Sequence, residues 1–102
     1  MSISPALSAM AEPRRLAILA LVKESELSSG EIASHFAVTR PAISQHLGVL
    51  KAAGLVAERR VGTKRFYRAR PEGLAEIRAF LETFWDDSLQ RLKRAAEVEE
   101  GR

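Results

Sequence analysis

TRPAISQHLGVLKAAGL, residues 39–55, leaves little freedom of conformation. Thr39 offers a hydroxyl that can cap a helix N-terminus, and Pro41 falls in the first turn, where a missing N–H costs nothing. Ile43, Leu47 and Leu50 recur at spacings of four and three, which draws one apolar stripe along the helix. Gly54 follows where a left-handed residue closes a helix. Arg40, Ser44, Gln45 and His46 occupy the remaining faces near the start. Short or planar polar side chains gathered there can reach base edges and phosphates. The stretch is expected to be a helix that reads DNA.

Charge placement points the same way. The net charge is only +3 over 102 residues. The window from Thr39 to Arg70 holds eight basic residues against the single acid Glu58, a local +7, and the remainder is −4. A basic block in an acidic frame is the footprint of polyanion binding. The competing explanation is a solvated surface with scattered lysines. Arginine dominates the block, however, and the block coincides with the helix and the hairpin that follows.

The flanking segments predict a small, mainly helical domain. Ser4 and Pro5 start a short helix with Leu7 and Met10 inward, packed on its own domain or across a dimer. Glu12-Pro13 opens a second helix, and Leu16, Ile18, Leu19, Leu21 and Val22 make it apolar nearly all round, so a core position is expected. Arg14 and Arg15 in its first turn serve either DNA backbone or an acidic neighbour. Ser28 with Glu31 three residues on predicts a capping box for a third helix ending near Ala37. Ile32, Ala33 and Phe36 form its inner face, and Val38 plugs the turn before Thr39. Two short helices joined by a tight turn, over about 28–53, make the helix-turn-helix pattern.

Residues 55–70 then predict a β-hairpin. One strand runs Leu55–Val61, Gly62-Thr63 turns, and Lys64–Ala69 returns. Arg60, Lys64 and Arg65 lie near the tip, where a basic wing enters a minor groove or grips phosphates. Val56, Phe66 and Tyr67 are the candidates to pack it on the domain. The plainer alternative is a structural ribbon whose charged edges prevent aggregation. After Pro71-Glu72-Gly73, a long helix is expected over about 72–96. Leu74, Ile77, Leu81 and Phe84 follow 3-4-3 spacing, with Trp85, Leu89 and Leu92 one residue out of phase. With Leu7 these are the candidate dimer contacts. The alternative is that this helix folds back on its own core. Residues 97–102 read as an acidic, frayed tail.

Composition removes other classes. There is no cysteine, hence no disulfide and no thiolate metal site. No run approaches the ~18 apolar residues of a membrane span, and no secretion signal is visible, so a cytoplasmic protein is expected. No nucleophile–base pair or Gly-rich phosphate loop suggests an enzyme. Ser44 and His46, two positions apart on a helix, point about 200° from each other and cannot form a dyad.

Taken together, these segments resemble winged helix-turn-helix repressors of the ArsR/SmtB type, over roughly Pro5 to Leu92. The motifs are Glu12-Pro13-Arg14-Arg15-Leu16-Ala17-Ile18-Leu19, Glu31-Ile32-Ala33, Arg40-Pro41-Ala42-Ile43-Ser44-Gln45-His46-Leu47 and Ala53-Gly54-Leu55-Val56. Arg59-Arg60-Val61-Gly62-Thr63-Lys64 and Tyr67 complete them. The resemblance implies a homodimer that binds imperfect inverted repeats in double-stranded DNA and blocks transcription. Thr39, Arg40, Pro41, Ser44, Gln45, His46, Arg60, Lys64 and Arg65 are then the DNA-binding candidates. The family's usual metal sites do not carry over. Residues 26–32 contain no sulfur, and no histidine follows His46, although Asp86 and Asp87 occur. Zinc and nickel favour imidazole and thiolate, so no metal and no cofactor is expected, and an effector would be a small molecule or a protein. The rival reading is a winged helix that docks proteins, with Phe84 and Trp85 as anchors.

Overall fold

Each helix of the core is fixed at its ends by the residues that start and stop it. The computed structural model describes residues 4–84 and 90–100. Helix α1 spans Ser4–Met10, with Ala9 buried and Leu7 and Met10 half-buried. Helix α2, Pro13–Glu24, is capped by the Glu12 carboxylate, which accepts from the backbone N–H groups of Arg14 and Arg15 at 3.1 Å each. Its buried residues are Ile18, Leu19 and Val22. The expectation that α2 is core all round fails at Leu16, which is 49% exposed. On a helix Leu16 lies well away from the Ile18–Val22 face, and the packed elements cover only one side.

Strand β1, Leu27–Ser28, is only two residues long, too short for any period to show in sequence. Helix α3, Ser29–Ala33, carries the expected capping box: Ser28 Oγ accepts from the Glu31 N–H, and the Glu31 carboxylate from the Ser28 N–H. It ends four residues before Ala37. Beyond Ala33 the amides of His35 and Phe36 bond three residues back, to Ile32 and Ala33, and the chain tightens into turns. Helix α4, Arg40–Ala52, is capped by Thr39, whose hydroxyl accepts from the Ala42 N–H. Its end is a full Schellman motif. The Leu55 N–H bonds Leu50 O and the Gly54 N–H bonds Lys51 O, both at 3.0 Å, with Gly54 at φ 77°.

Strands β2, Val56–Val61, and β3, Lys64–Ala69, form the hairpin across a two-residue loop, with Gly62 at φ 62°. The antiparallel sheet has the order β1-β3-β2, in register Leu27↔Tyr67 on one side of β3 and Glu58↔Tyr67 on the other. Val56 and Tyr67 are buried under it, and Phe66 is half-buried. Together with Ile32, Ile43, Leu47, Leu50, Leu55 and the α2 residues they make one core, and among the described residues no charged side chain is buried in it.

Helix α5, Pro71–Phe84, starts within a residue of the expected position, directly after β3 ends, and Gly73 lies inside its first turn. Its role is close approach. A Cβ at Gly73 would fall on the Gly54 carbonyl oxygen, beside Leu55 Cδ2. Gly73→Ala is therefore expected to destabilise the fold by about 1–3 kcal/mol, the usual cost of overpacking, although alanine is the better helix former. Urea denaturation checks this; a stabilised variant would show that the contact is not there.

The apolar stripe of α5 divides between two uses. Ile77 is buried and Leu74 packs against the same core, so these two candidate dimer residues serve the fold of their own chain instead. Phe80, Leu81 and Phe84 are 38%, 41% and 50% exposed, and the Phe80 and Phe84 rings meet edge-on at 5.3 Å. Trp85 and Leu89 lie outside the described residues. Helix α6, Gln90–Glu100, runs past residue 96, with Leu92 exposed. Among the described residues no helix is long and apolar enough to cross a membrane.

Candidate nucleic-acid interface

Burying Ile43, Leu47 and Leu50 turns the opposite side of α4 outward. Thr39, Arg40, Pro41, Ser44 and Gln45 are all exposed there. Ser44 and Gln45 make no side-chain hydrogen bond among the described residues, so their donors and acceptors are available to a ligand. The Arg40 guanidinium leans across the helix-turn-helix to Ser29 Oγ, at 3.3 Å.

His46 is placed differently. It lies about 100° round the helix from Gln45, half-buried against the start of α2. Its Nδ1 is 3.4 Å from Arg15 Nη1 and 3.6 Å from Glu12 Oε2. Arg15 Nε in turn donates to Ala9 O at 2.7 Å. This cluster ties α1, α2 and α4 together, and it draws Arg15 to protein partners. The Glu12 carboxyl sits below the usual carboxylate range, chiefly through the Arg14 backbone N–H. Arg14 lies over the Phe36 ring, 5.8 Å from its centroid, where it steadies the turn between α3 and α4.

The hairpin divides its cations between its two faces. Arg59 is anchored to the body by a two-pronged pair with Glu26, at 2.6 and 3.0 Å, and lies over Phe66. Near the tip, Arg60 stands directly opposite Arg65, and Val61 opposite Lys64. Arg60 and Lys64 form no hydrogen bond or close ion pair among the described residues. Arg65 reaches back to Glu58, with Nη1 3.6 Å from Oε2. Glu58 also accepts from the Tyr67 hydroxyl at 2.8 Å and from Lys51 Nζ at 3.1 Å. These contacts, the Tyr67 hydroxyl first, hold its carboxyl below the usual range.

The result is a groove of about 710 Å³ between α3, α4 and the hairpin, walled by Arg40, Ser44, Lys51, Glu58, Lys64 and Arg65. Lys51 and Glu58 belong to the basic window but were not among the DNA-binding candidates. Lys51 shares a helix flank with Arg40 and Ser44, a signal the helical period carried. Glu58 becomes legible only once the hairpin register is known. Among the described residues no group of three or more His, Asp or Glu side chains is placed to hold a metal ion.

A recognition helix on a three-helix core, followed at once by a basic hairpin, defines a winged helix-turn-helix regulator. Comparison with known proteins narrows the class. Residues 12–58 match the model of the bacterial regulatory protein, arsR family. The chain is 46% identical over 81 residues to the HTH-type transcriptional regulator Rv2034 of Mycobacterium tuberculosis, covering 79% of this chain and 76% of that one. It is 41% identical over 71 residues to the repressor SmtB of the same species, covering 70% of this chain but only 53% of the relative. The fold superposes with a TM-score of 0.76 on a crystal structure described as a possible transcriptional regulator for arsenical resistance, at 45% identity over 87% of this chain and 93% of that one. A homodimeric winged helix-turn-helix DNA-binding domain of Mycobacterium bovis gives 0.68, at 32% identity over 87% and 82%. The chain belongs to the ArsR family of DNA-binding transcriptional regulators.

Proposed function

We propose that the protein is a homodimeric repressor that binds an inverted-repeat operator and occludes a promoter in the cytoplasm. The observation that carries this reading is the unspent polar face of α4 beside a hairpin tip with Arg60 opposite Arg65. Like charges directly across a strand pair destabilise it, so a purely structural ribbon would avoid them. A polyanion lying across the tip turns that cost into attraction. Two copies joined through Phe80, Leu81 and Phe84 of α5 would set their recognition helices about 34 Å apart, one turn of duplex. Homodimerisation of the M. bovis relative supports that arrangement.

Within each half-site, Gln45 pairs bidentately with adenine and Ser44 contacts a base or phosphate. Arg40 and Thr39 take backbone phosphates at the helix start, and Pro41 offers an apolar contact to a thymine methyl. Lys64, Arg60 and Arg65 hold the flanking backbone or minor groove. His46, engaged with Arg15 and Glu12, acts as a support for α4. Repression is preferred to activation because an operator-bound dimer that overlaps a promoter blocks polymerase by position alone. A relative from Vibrio cholerae is named the transcriptional activator HlyU, so operator position relative to the promoter is the variable to measure.

Selection of bound sequences from random duplex DNA tests the proposal. An inverted repeat with half-sites about ten base pairs apart is the expected product. A chain that selects nothing at moderate salt would instead be a protein-docking module. Gln45→Ala should then cost ~1–3 kcal/mol and relax preference at one position per half-site. Lys64→Ala should weaken all duplexes alike and flatten the salt slope by about one. Titrating both variants against selected and scrambled duplex separates the two roles.

A further inference from the structure

Glu58 is the single acid in the basic window from Thr39 to Arg70, and the fold sets it in the lining of the groove between α3, α4 and the hairpin. Its carboxylate joins Lys51, from the last turn of α4, to Arg65 on the returning strand of the hairpin. Tyr67 does not require that negative charge. A buried hydroxyl needs an acceptor, and a neutral amide would serve. Stability accounts for only part of it, although the Glu58 side chain itself is 19% exposed and its contacts favour the charged form. The Lys51 and Arg65 side chains are 54% and 51% exposed, and ion pairs so placed contribute little to folding. A carboxylate facing a polyanion subtracts affinity, so its place here calls for another role.

We propose that Glu58 is an internal counter-ion, standing in for a phosphate and occupying Lys51 and Arg65 until a well-fitted duplex displaces it, which restrains sequence-independent binding. The inference rests on the groove being the DNA interface. On arbitrary duplex, Lys51 and Arg65 stay on Glu58 and add little to the counterions released. On a duplex whose backbone passes directly over them, phosphates take both cations at once. Glu58 thus makes the outer electrostatic contacts conditional on docking. It also holds the helix and hairpin in one register, because one carboxylate bonds to both. It is a positioning residue and touches no base.

The test is the salt dependence of binding to a random-sequence 30-base-pair duplex by wild type and Glu58→Gln. The variant keeps an acceptor for Tyr67 and removes only the charge. Its slope of log affinity against log salt should steepen by roughly one to two, and at ~0.1 M salt it should bind the random duplex about tenfold tighter or more. An unchanged or shallower slope in a variant that melts like wild type overturns the proposal. A wild type that binds no duplex at any salt overturns the groove assignment, and the counter-ion role with it. Should Glu58→Gln fail to fold, the wild-type protein decides the matter. The side-chain carboxyl 13C resonance of Glu58 should shift on saturation with the selected operator, as its cations leave. A resonance that stays in place at saturation refutes the exchange.

Discussion

Replacing Leu81 and Phe84 together by aspartate is expected to yield a folded monomer whose operator affinity is lower by about 10²–10⁴-fold, the usual gain from joining two binding modules. Both side chains are close to half-exposed in the single chain, so their loss spares the core. Ile77, one turn earlier on α5, is the contrasting position: it is buried in its own chain, and aspartate there should unfold the protein. In a symmetric dimer each substitution counts twice, and four carboxylates in one apolar seam exceed what the interface can offset. Sedimentation at micromolar concentration gives the oligomeric state, and titration against the selected operator gives the affinity. A double variant that stays dimeric would place the interface elsewhere, with α1 or α6 the next surfaces to test.

The second large effect concerns the seating of the recognition helix. Leu50→Ala should cost about 2–5 kcal/mol, by lost burial and by the cavity left behind. A domain of this size is stable by only about 5–15 kcal/mol, so the change removes a large share. Leu50 is fully buried and is the last of the three residues that hold α4 on the core. Its carbonyl is also the Schellman acceptor for the Leu55 N–H, so helix end and hairpin start converge on it. The neighbouring Val49 is partly exposed, and Val49→Ala should shift stability by only about 0.5 kcal/mol or less. Urea denaturation of the two variants should separate them by at least ~1.5 kcal/mol; equal midpoints would mean that α4 is not held by this stripe.

The segments best anticipated are those governed by local rules. The Ser28–Glu31 capping box, the Thr39 cap, the Gly54 stop and the two-residue turn at Gly62 each depend on chemistry within a few residues. The α4 stripe was equally plain, because 3-4 spacing is a property of the chain itself. Where expectation and structure part, a distant partner decides. Leu16 looked like core, and among the described residues it stays half exposed. Ile77 looked like interface, and the core claims it. His46, a DNA-binding candidate, also meets Glu12 and Arg15, more than thirty positions away, which no local pattern announces. Strand β1 carries no signal of its own; pairing with β3 creates it.

The amino-acid sequence by itself determined the helix-turn-helix, the hairpin and the basic window, because caps, turns, periods and charge are written in short range. Only tertiary structure decided which cations stay available for a ligand. Arg59 finds Glu26, Lys51 and Arg65 share Glu58, and Lys64 in the groove and Arg60 at the hairpin tip form no close pair among the described residues. The physical reason is that a side chain's partner depends on distances set by chain reversals and strand register, and a linear period does not encode those distances.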